Sequence, residues 1–425
     1  MAGIAASLTR LRRLRELFEK RLQTAAEKET SRSAPRPSRL KEVASFGSNP
    51  GNLRMHIYVP GDVGKSPALV IALHGCTQTA DSYDQGTGWS QLADRFGFIV
   101  VFPEQQPANN PKNCFSWFLP GDTVRDSGEA LSIRQMIAKA GKKFGVDRSR
   151  IFVTGLSAGG AMTSVMLATY PEIFAGGAII AGLPYGSASS VQEAFEAMFN
   201  ERVPSSRALG DHVRAASDYH GPWPKISVWH GTADAVVQPS NANDIVKQWI
   251  DVLKLPKSSS REEQIGRHIR RVWNDAKGDT RIEAYSITGM GHGVPVATTG
   301  PDGLGVASPF FLEAGISSTL LITRYWGLDT TAARRKKKSR PIFDRVAAEP
   351  SHYPAGAHHT VLAEPLHGQN HDSADNRGFA ADAGTVIEAA FKAAGLPVPD
   401  RIGGRAIDPG AVISAALKAA GLKRK

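Results

Sequence analysis

The segment Gly155-Leu156-Ser157-Ala158-Gly159 sets one serine between two glycines, the G-x-S-x-G pattern of a nucleophile elbow. The pattern is short and common, so its setting decides its weight. Ile151–Thr154 before it reads as a buried strand, and Gly160–Tyr170 after it reads as a helix. Strand, sharp turn and helix together push a serine Oγ out above a sheet. They also place it at a helix N-terminus, where free N–H groups and the helix dipole favour developing negative charge. The alternative reading is a plain glycine-rich turn.

A serine hydroxyl is a poor nucleophile at neutral pH and needs a base. For this elbow the acid and base are expected downstream, in the order Ser, Asp/Glu, His. Of 12 histidines, His292 lies in Thr288-Gly-Met-Gly-His292-Gly, directly past the apparent strand Arg281–Ile287. A glycine-flanked loop there can carry an imidazole over the serine. His230 ends a strand and reads as structural, His220 precedes Gly-Pro and reads as a loop residue, and His352 to His371 fall in a linker-like stretch. For the acid, Trp229-His-Gly-Thr-Ala-Asp234 puts a carboxylate just past a strand end, where sites in open α/β sheets lie. A turn or helix-cap aspartate is the alternative, and Asp211, Asp218 and Asp244 lack the strand-end setting. Two backbone N–H groups are expected to hold the oxyanion. One is that of Ala158, after the serine, and the other that of Cys76, in His74-Gly75-Cys76-Thr77 after the strand Ala68–Leu73.

These residues need a sheet to stand on. Ala68–Leu73, Phe98–Phe102, Ile151–Thr154, Ala178–Ala181, Ile226–Trp229 and Arg281–Ile287 are the clearest strands. Near-continuous apolar runs suit parallel strands covered on both faces. Ser127–Phe144, Gly160–Tyr170 and Ser240–Leu253 read as helices between them. The expected fold class is therefore α/β, a mostly parallel central sheet flanked by helices, over residues 43–328.

The flanks differ in texture. Of the net charge of +11, residues 1–42 hold 11 Lys/Arg against 5 Asp/Glu, and 329–425 hold 15 against 10, leaving the middle neutral. A nucleic-acid reader carries its basic patch on the folded domain, so no nucleic-acid partner is expected. Residues 1–42 read as a basic amphipathic helix and linker, with Leu8, Leu11, Leu14, Phe18 and Leu22 at helical spacing. Such a helix either lies on an apolar or anionic surface or packs on its own domain, and packing is favoured. Residues 329–383 read as a basic, His/Pro/Gly-rich linker, and 384–425 as two Ala-rich helices repeating at a spacing of 26 residues. No signal peptide is visible, and no apolar run reaches the ~18 residues of a membrane span. No P-loop, dinucleotide fingerprint or metal-ligand cluster appears, so neither cofactor nor metal is expected. Trp89, Trp117, Leu183, Tyr185 and Trp223 are candidates for an apolar wall around an acyl chain, with burial in the core as the alternative for each.

The stretches LHGCTQTADSYDQGTGWSQLADRFGFIVVFPEQ, NCFSWF, GVDRSRIFVTGLSAGGAMTSVMLATYPEIFAG, AGLPYG, ISVWHGTADAVV and GMGHG together resemble the poly(3-hydroxybutyrate) depolymerase family of esterases, related to feruloyl and acetylxylan esterases. The resemblance spans about residues 43–328. It implies an α/β-hydrolase fold and a triad of Ser157, Asp234 and His292. It also implies an oxyanion cysteine at Cys76, bridged to Cys114, and an ester substrate such as a hydroxyalkanoate oligomer or polymer. A bridge of that kind belongs to an oxidising, extracellular setting, whereas the lack of a visible signal peptide points to the cytoplasm. Two rival expectations remain: a feruloyl- or acetylxylan-type carbohydrate esterase, and a granule- or surface-associated binding protein using its basic flanks.

Overall fold

The computed structural model describes residues 2–27, 37–200 and 203–330, with the side chains of 2–8 and 25–27 left aside. The expected linker at 331–383 and the repeated helices at 384–425 lie outside the described residues. Every element from Thr9 onward belongs to one compact unit.

The chain runs through α1 (Ala2–Glu27), β1 (Lys41–Glu42), β2 (Arg54–Tyr58) and β3 (Leu69–Leu73). Helices α2 (Ala80–Thr87) and α3 (Trp89–Phe96) lead to β4 (Ile99–Glu104), and α4 (Pro120–Thr123) and α5 (Gly128–Phe144) lead to β5 (Ile151–Leu156). Then come α6 (Ala158–Thr169), β6 (Gly176–Ile180), α7 (Val191–Phe199), α8 (Ser206–Ala215), β7 (Lys225–Gly231) and α9 (Ser240–Leu253). The hairpin β8 (Arg261–Ile265) and β9 (His268–Asn274) precedes β10 (Thr280–Ile287), and β11 (Val294–Val296), β12 (Phe311–Glu313) and α10 (Ser318–Tyr325) follow.

Ten strands form one sheet in the order β1-β2-β4-β3-β5-β6-β7-β10-β9-β8. From β4 to β10 the neighbours are parallel, while β1–β2, β2–β4, β10–β9 and β9–β8 pair antiparallel. The core is the parallel part. β3, β4, β5 and β6 are buried along their whole length, so helices must shield both faces. All of α6 is buried too, consistent with a helix that is apolar or small-residued on every side. The chain switches sides between β4, β3 and β5, and the parallel strands deliver their carboxyl ends to one edge of the sheet.

The edges are polar and held differently. Arg270 of β9 donates through Nε and a terminal nitrogen to Glu283 Oε2 of β10, at 3.0 and 2.9 Å. Ser227 of β7 donates to Glu283 Oε1 at 2.8 Å, and Arg270 also reaches Glu263 of β8 at 3.0 Å. Glu283 and Arg270 together thus connect four strands. Beside it Trp229 and Tyr285 stack with ring centroids 3.6 Å apart.

The apolar stripe of α1 faces its own domain. Phe18 packs against Phe195 and Phe199 of α7, Leu22 is buried, Arg21 lies over the Phe199 ring, and Arg10 pairs with Glu196 at 3.0 Å. Of the two roles its spacing allowed, packing is the one this contact displays.

Removing one partner from a buried ion pair leaves the other uncompensated. Glu283→Ala is expected to lower the unfolding free energy by roughly 3 kcal/mol, toward the low end for such losses because Glu263 still holds Arg270. Urea unfolding followed by circular dichroism measures it, and a change under about 1 kcal/mol, the scale of a surface pair, would contradict this account.

Candidate active site

β5 ends at Leu156 and α6 begins at Ala158, so Ser157 alone makes the turn. Its backbone sits at φ +57° and ψ −116°. For a residue with a Cβ that conformation costs on the order of 1–3 kcal/mol and persists only when the surroundings over-determine it. They do so here. A Cβ at Gly155 would run into the Gly159 carbonyl, and one at Gly159 into the carbonyls of Leu73 and His74. Ser157 N–H donates to Ile180 O of β6 at 2.9 Å, and Ser157 O accepts from Ala161 N at 2.8 Å to open α6. Two glycines and two backbone bonds fix the turn.

Asp234 and His292 come together across two loops that interlock. After β7, Thr232 N donates to Ile287 O at 3.0 Å and Ala233 N to Met290 O at 2.9 Å. Gly289 N returns a bond to Thr232 Oγ1 at 2.8 Å. The loops pass so closely that a Cβ on Gly231 would strike the carbonyls of Met290 and Gly291. The result is a 2.7 Å bond between His292 Nδ1 and Asp234 Oδ2, both residues buried. Asp234 Oδ1 accepts from Val236 N at 2.8 Å and Val237 N at 3.0 Å. Burial alone would raise the Asp234 pKa. The charge of His292 and hydrogen bonds from His230 and His292 outweigh it and hold the carboxyl well below its usual range.

Ser157, Asp234 and His292 follow β5, β7 and β10, three strands that run parallel and end at the same edge. The other sequence candidates stand elsewhere. Asp211 is exposed and paired with Arg214, and Asp244 is paired with Lys247 at 2.8 Å. His220 is exposed before β7, at the opposite edge, and His352 to His371 lie outside the described residues.

The segment after β3 is tied down from several directions. Cys76 is bridged to Cys114. Thr77 N donates to Lys112 O at 2.6 Å. His74 is fully buried, its Nδ1 2.8 Å from Gly75 O and its Nε2 accepting Gln105 N at 3.0 Å. That pattern makes Nδ1 the protonated nitrogen, and burial pushes the His74 pKa down, keeping the ring neutral. Gln105 Nε2 in turn meets Glu129 at 2.5 Å, and Glu129 also accepts Ser116 N at 2.9 Å. Burial, with Asp122 nearby, moves the Glu129 pKa up to about 8. Among the described residues, neither the Cys76 N–H nor the Ala158 N–H has an acceptor. Both are left available to a ligand.

The expected wall divides. Trp117 and Tyr185 line a cavity of about 210 Å³ with Thr123 and His212. Trp89 does not belong to it: it is buried, stacked on Trp326 and set edge-on to Phe98. Leu183 is likewise buried in the core, where its carbonyl accepts Ser164 Oγ. Trp223 stands just before β7, packed edge-on against Tyr219 and Trp249, at the sheet edge away from the strand ends that carry Ser157 and Asp234. Sequence reasoning missed the His74–Gln105–Glu129 support. It also missed the second contact of His230, whose Nε2 lies 3.1 Å from Asp234 Oδ2. The four-residue His-Gly-x-x-Asp spacing was its one visible signal.

The chain is similar to known esterases. The family described as "Esterase PHB depolymerase" matches residues 53–260. Poly(3-hydroxyalkanoate) depolymerase C of Paucimonas lemoignei is 44% identical over 291 residues, 68% of this chain and 70% of that protein. Feruloyl esterase B of Talaromyces stipitatus is 34% identical over 267 residues, 60% of this chain and 72% of that protein. Among solved structures, the acetyl xylan esterase from Aspergillus awamori superposes with a TM-score of 0.59 at 26% identity, covering 68% of this chain and 99% of that one.

Reducing the Cys76–Cys114 bridge, or Cys114→Ser, is expected to lower kcat on a p-nitrophenyl ester roughly tenfold, part of the ~3–4 kcal/mol an intact oxyanion donor contributes. KM should change less than kcat. Steady-state kinetics with and without reductant test this, and an unchanged kcat in fully reduced protein would show that the loop is held without the bridge.

Proposed function

The chain belongs to the esterase PHB depolymerase family and is a carboxylic ester hydrolase; we propose that it cleaves hydroxyalkanoate esters through an acyl-enzyme on Ser157. The observation that carries the reading is the buried 2.7 Å bond between Asp234 and His292, set at the same sheet edge as the strained Ser157 turn. In the first half-reaction His292 Nε2 takes the Ser157 proton as Oγ attacks the ester carbonyl. The carbonyl π electrons move to oxygen, and the Cys76 and Ala158 N–H groups hold that charge. Collapse expels the alcohol oxygen, which takes the proton from His292. Water then attacks the acyl-enzyme, gives its proton to His292, and Ser157 Oγ leaves with that proton as the carboxylic acid departs. Asp234 stays ionised throughout: its depressed pKa lets it stabilise the imidazolium without taking the proton itself.

For the substrate, the relationship to a poly(3-hydroxyalkanoate) depolymerase supports a hydroxyalkanoate ester, oligomeric or polymeric. The relationship to feruloyl and acetylxylan esterases supports a second reading, a sugar ester cleaved by the same chemistry.

Ser157→Ala is expected to lower kcat by at least ~10⁴-fold, as loss of a triad nucleophile does, and to abolish labelling by a fluorophosphonate probe. Retention of full activity would refute the mechanism. Turnover of hydroxybutyrate oligomers beside a feruloyl sugar and acetylated xylan separates the two substrate readings. Activity on the sugars with none on the oligomers would overturn the first.

A further inference from the structure

Asp234 Oδ2 faces two imidazoles. His292 Nδ1 lies 2.7 Å away and His230 Nε2 3.1 Å away. His230 is the penultimate residue of β7, and the turn that follows folds Asp234 back beside its ring. The same Nε2 lies 3.0 Å from Val237 O. Val237 in turn gives its N–H to Asp234 Oδ1 at 3.0 Å. One histidine therefore touches the aspartate directly and also grips the residue whose N–H holds the carboxylate's other oxygen.

The opposite nitrogen settles how His230 is protonated. His230 Nδ1 is buried and has no hydrogen-bond partner among the described residues. A buried bare lone pair is tolerable, whereas a buried N–H without an acceptor costs the desolvation of a donor. Val237 O and Asp234 Oδ2 are both acceptors, so the proton belongs on Nε2. A second proton on Nδ1 would be an unpartnered charge in a dry site. His230 thus donates through Nε2 toward Asp234 and Val237. The titratable groups that act on Asp234 are His292 and His230, and its remaining polar partners are the backbone N–H groups of Val236 and Val237.

We propose that His230 is a positioning residue for the reaction: an Nε2–H shared between Val237 O and Asp234 Oδ2 that aims the carboxylate at His292 and moderates the basicity it confers. The proposal rests on the Ser157–His292–Asp234 reading and extends it by one residue. Taking away a donor leaves more charge on Asp234 for His292. The His292 imidazolium is then more stable, and the pH at which the base becomes competent rises.

The test compares His230→Leu, His230→Asn and His230→Gln in the full chain, with His292→Ala alongside, on a soluble p-nitrophenyl ester from pH 4.5 to 9. Glutamine can put an amide N–H where Nε2 stands, whereas asparagine reaches only the Nδ1 position. His230→Leu is expected to lower kcat roughly tenfold or more with KM within about twofold, and to move the acidic limb of kcat/KM upward by roughly 0.5–1 pH unit, the loss of one hydrogen bond to a charged group. His230→Gln should recover most of the rate and return the limb. If His230→Leu does not fold, His230→Asn against His230→Gln makes the same comparison. A folded Leu or Asn variant whose limb stays in place or moves down, or a Gln variant no better than Asn, overturns the proposal. Full activity in His292→Ala would instead overturn the triad reading beneath it.

Discussion

A carboxylate kept ionised in a turn that excludes water is costly unless every lone pair finds a donor. Asp234 meets that condition with two backbone N–H groups on one oxygen and two imidazoles at the other. Much of the local architecture follows from the requirement. The turn after β7 must curl tightly enough to present Val236 and Val237. The loop after β10 must come close enough to deliver His292, and it does so only because Gly231 has no side chain. Backbone bonds between Thr232 and Ile287 and between Ala233 and Met290 then keep the two loops in register. Asp234 and His292 are joined by main chain as much as by their own hydrogen bond.

The Ser157 turn obeys a different constraint. Ser157 occupies a backbone conformation that a chain would not choose, and glycines at 155 and 159 allow neighbouring carbonyls to crowd against the turn. Strain is retained because β5 and α6 are among the most buried elements of the molecule and cannot relax around it. The third part, the loop at Cys76, is buried as well and is restrained in addition by polar contacts and a covalent bridge. His74 bonds to the carbonyl of the same peptide unit that carries the Cys76 N–H. Since the two ends of a trans peptide point in opposite directions, fixing Gly75 O also fixes where that N–H points. The three parts are thus immobilised by three means: interlocked loops, core packing and a polar buttress.

The central strands were legible because full burial leaves a simple trace: β3, β4, β5 and β6 are runs of apolar or small residues, and their positions can be read directly. β8 and β9 were not, since Arg261-Glu262-Glu263 and Arg270-Arg271 look like solvated segments. The burial of Arg270 depends on Glu283, thirteen residues away on another strand, and no local pattern announces such a partner. The same limit explains the aromatic residues. Trp89 was a reasonable wall candidate by type, but its neighbour Trp326 lies far along the chain and takes it into the core. Ser157, Asp234 and His292 could be singled out because each sits at a strand end with a glycine turn, a feature local enough to read. The support behind them, His74 with Gln105 and Glu129, is assembled from three separate segments.

That division also explains why the reaction is more legible than its substrate. Ester cleavage needs a small set of groups whose positions are set by the sheet, and a sheet is specified by many residues acting together. Selectivity depends instead on what the segments above the strand ends present. Trp117 and Thr123 come from the stretch between β4 and α5, Tyr185 from the loop after β6, and His212 from α8. None of these segments contributes to the sheet, so their side chains can change without disturbing the strand ends. A cavity built from three such segments can be reshaped while the sheet beneath stays fixed.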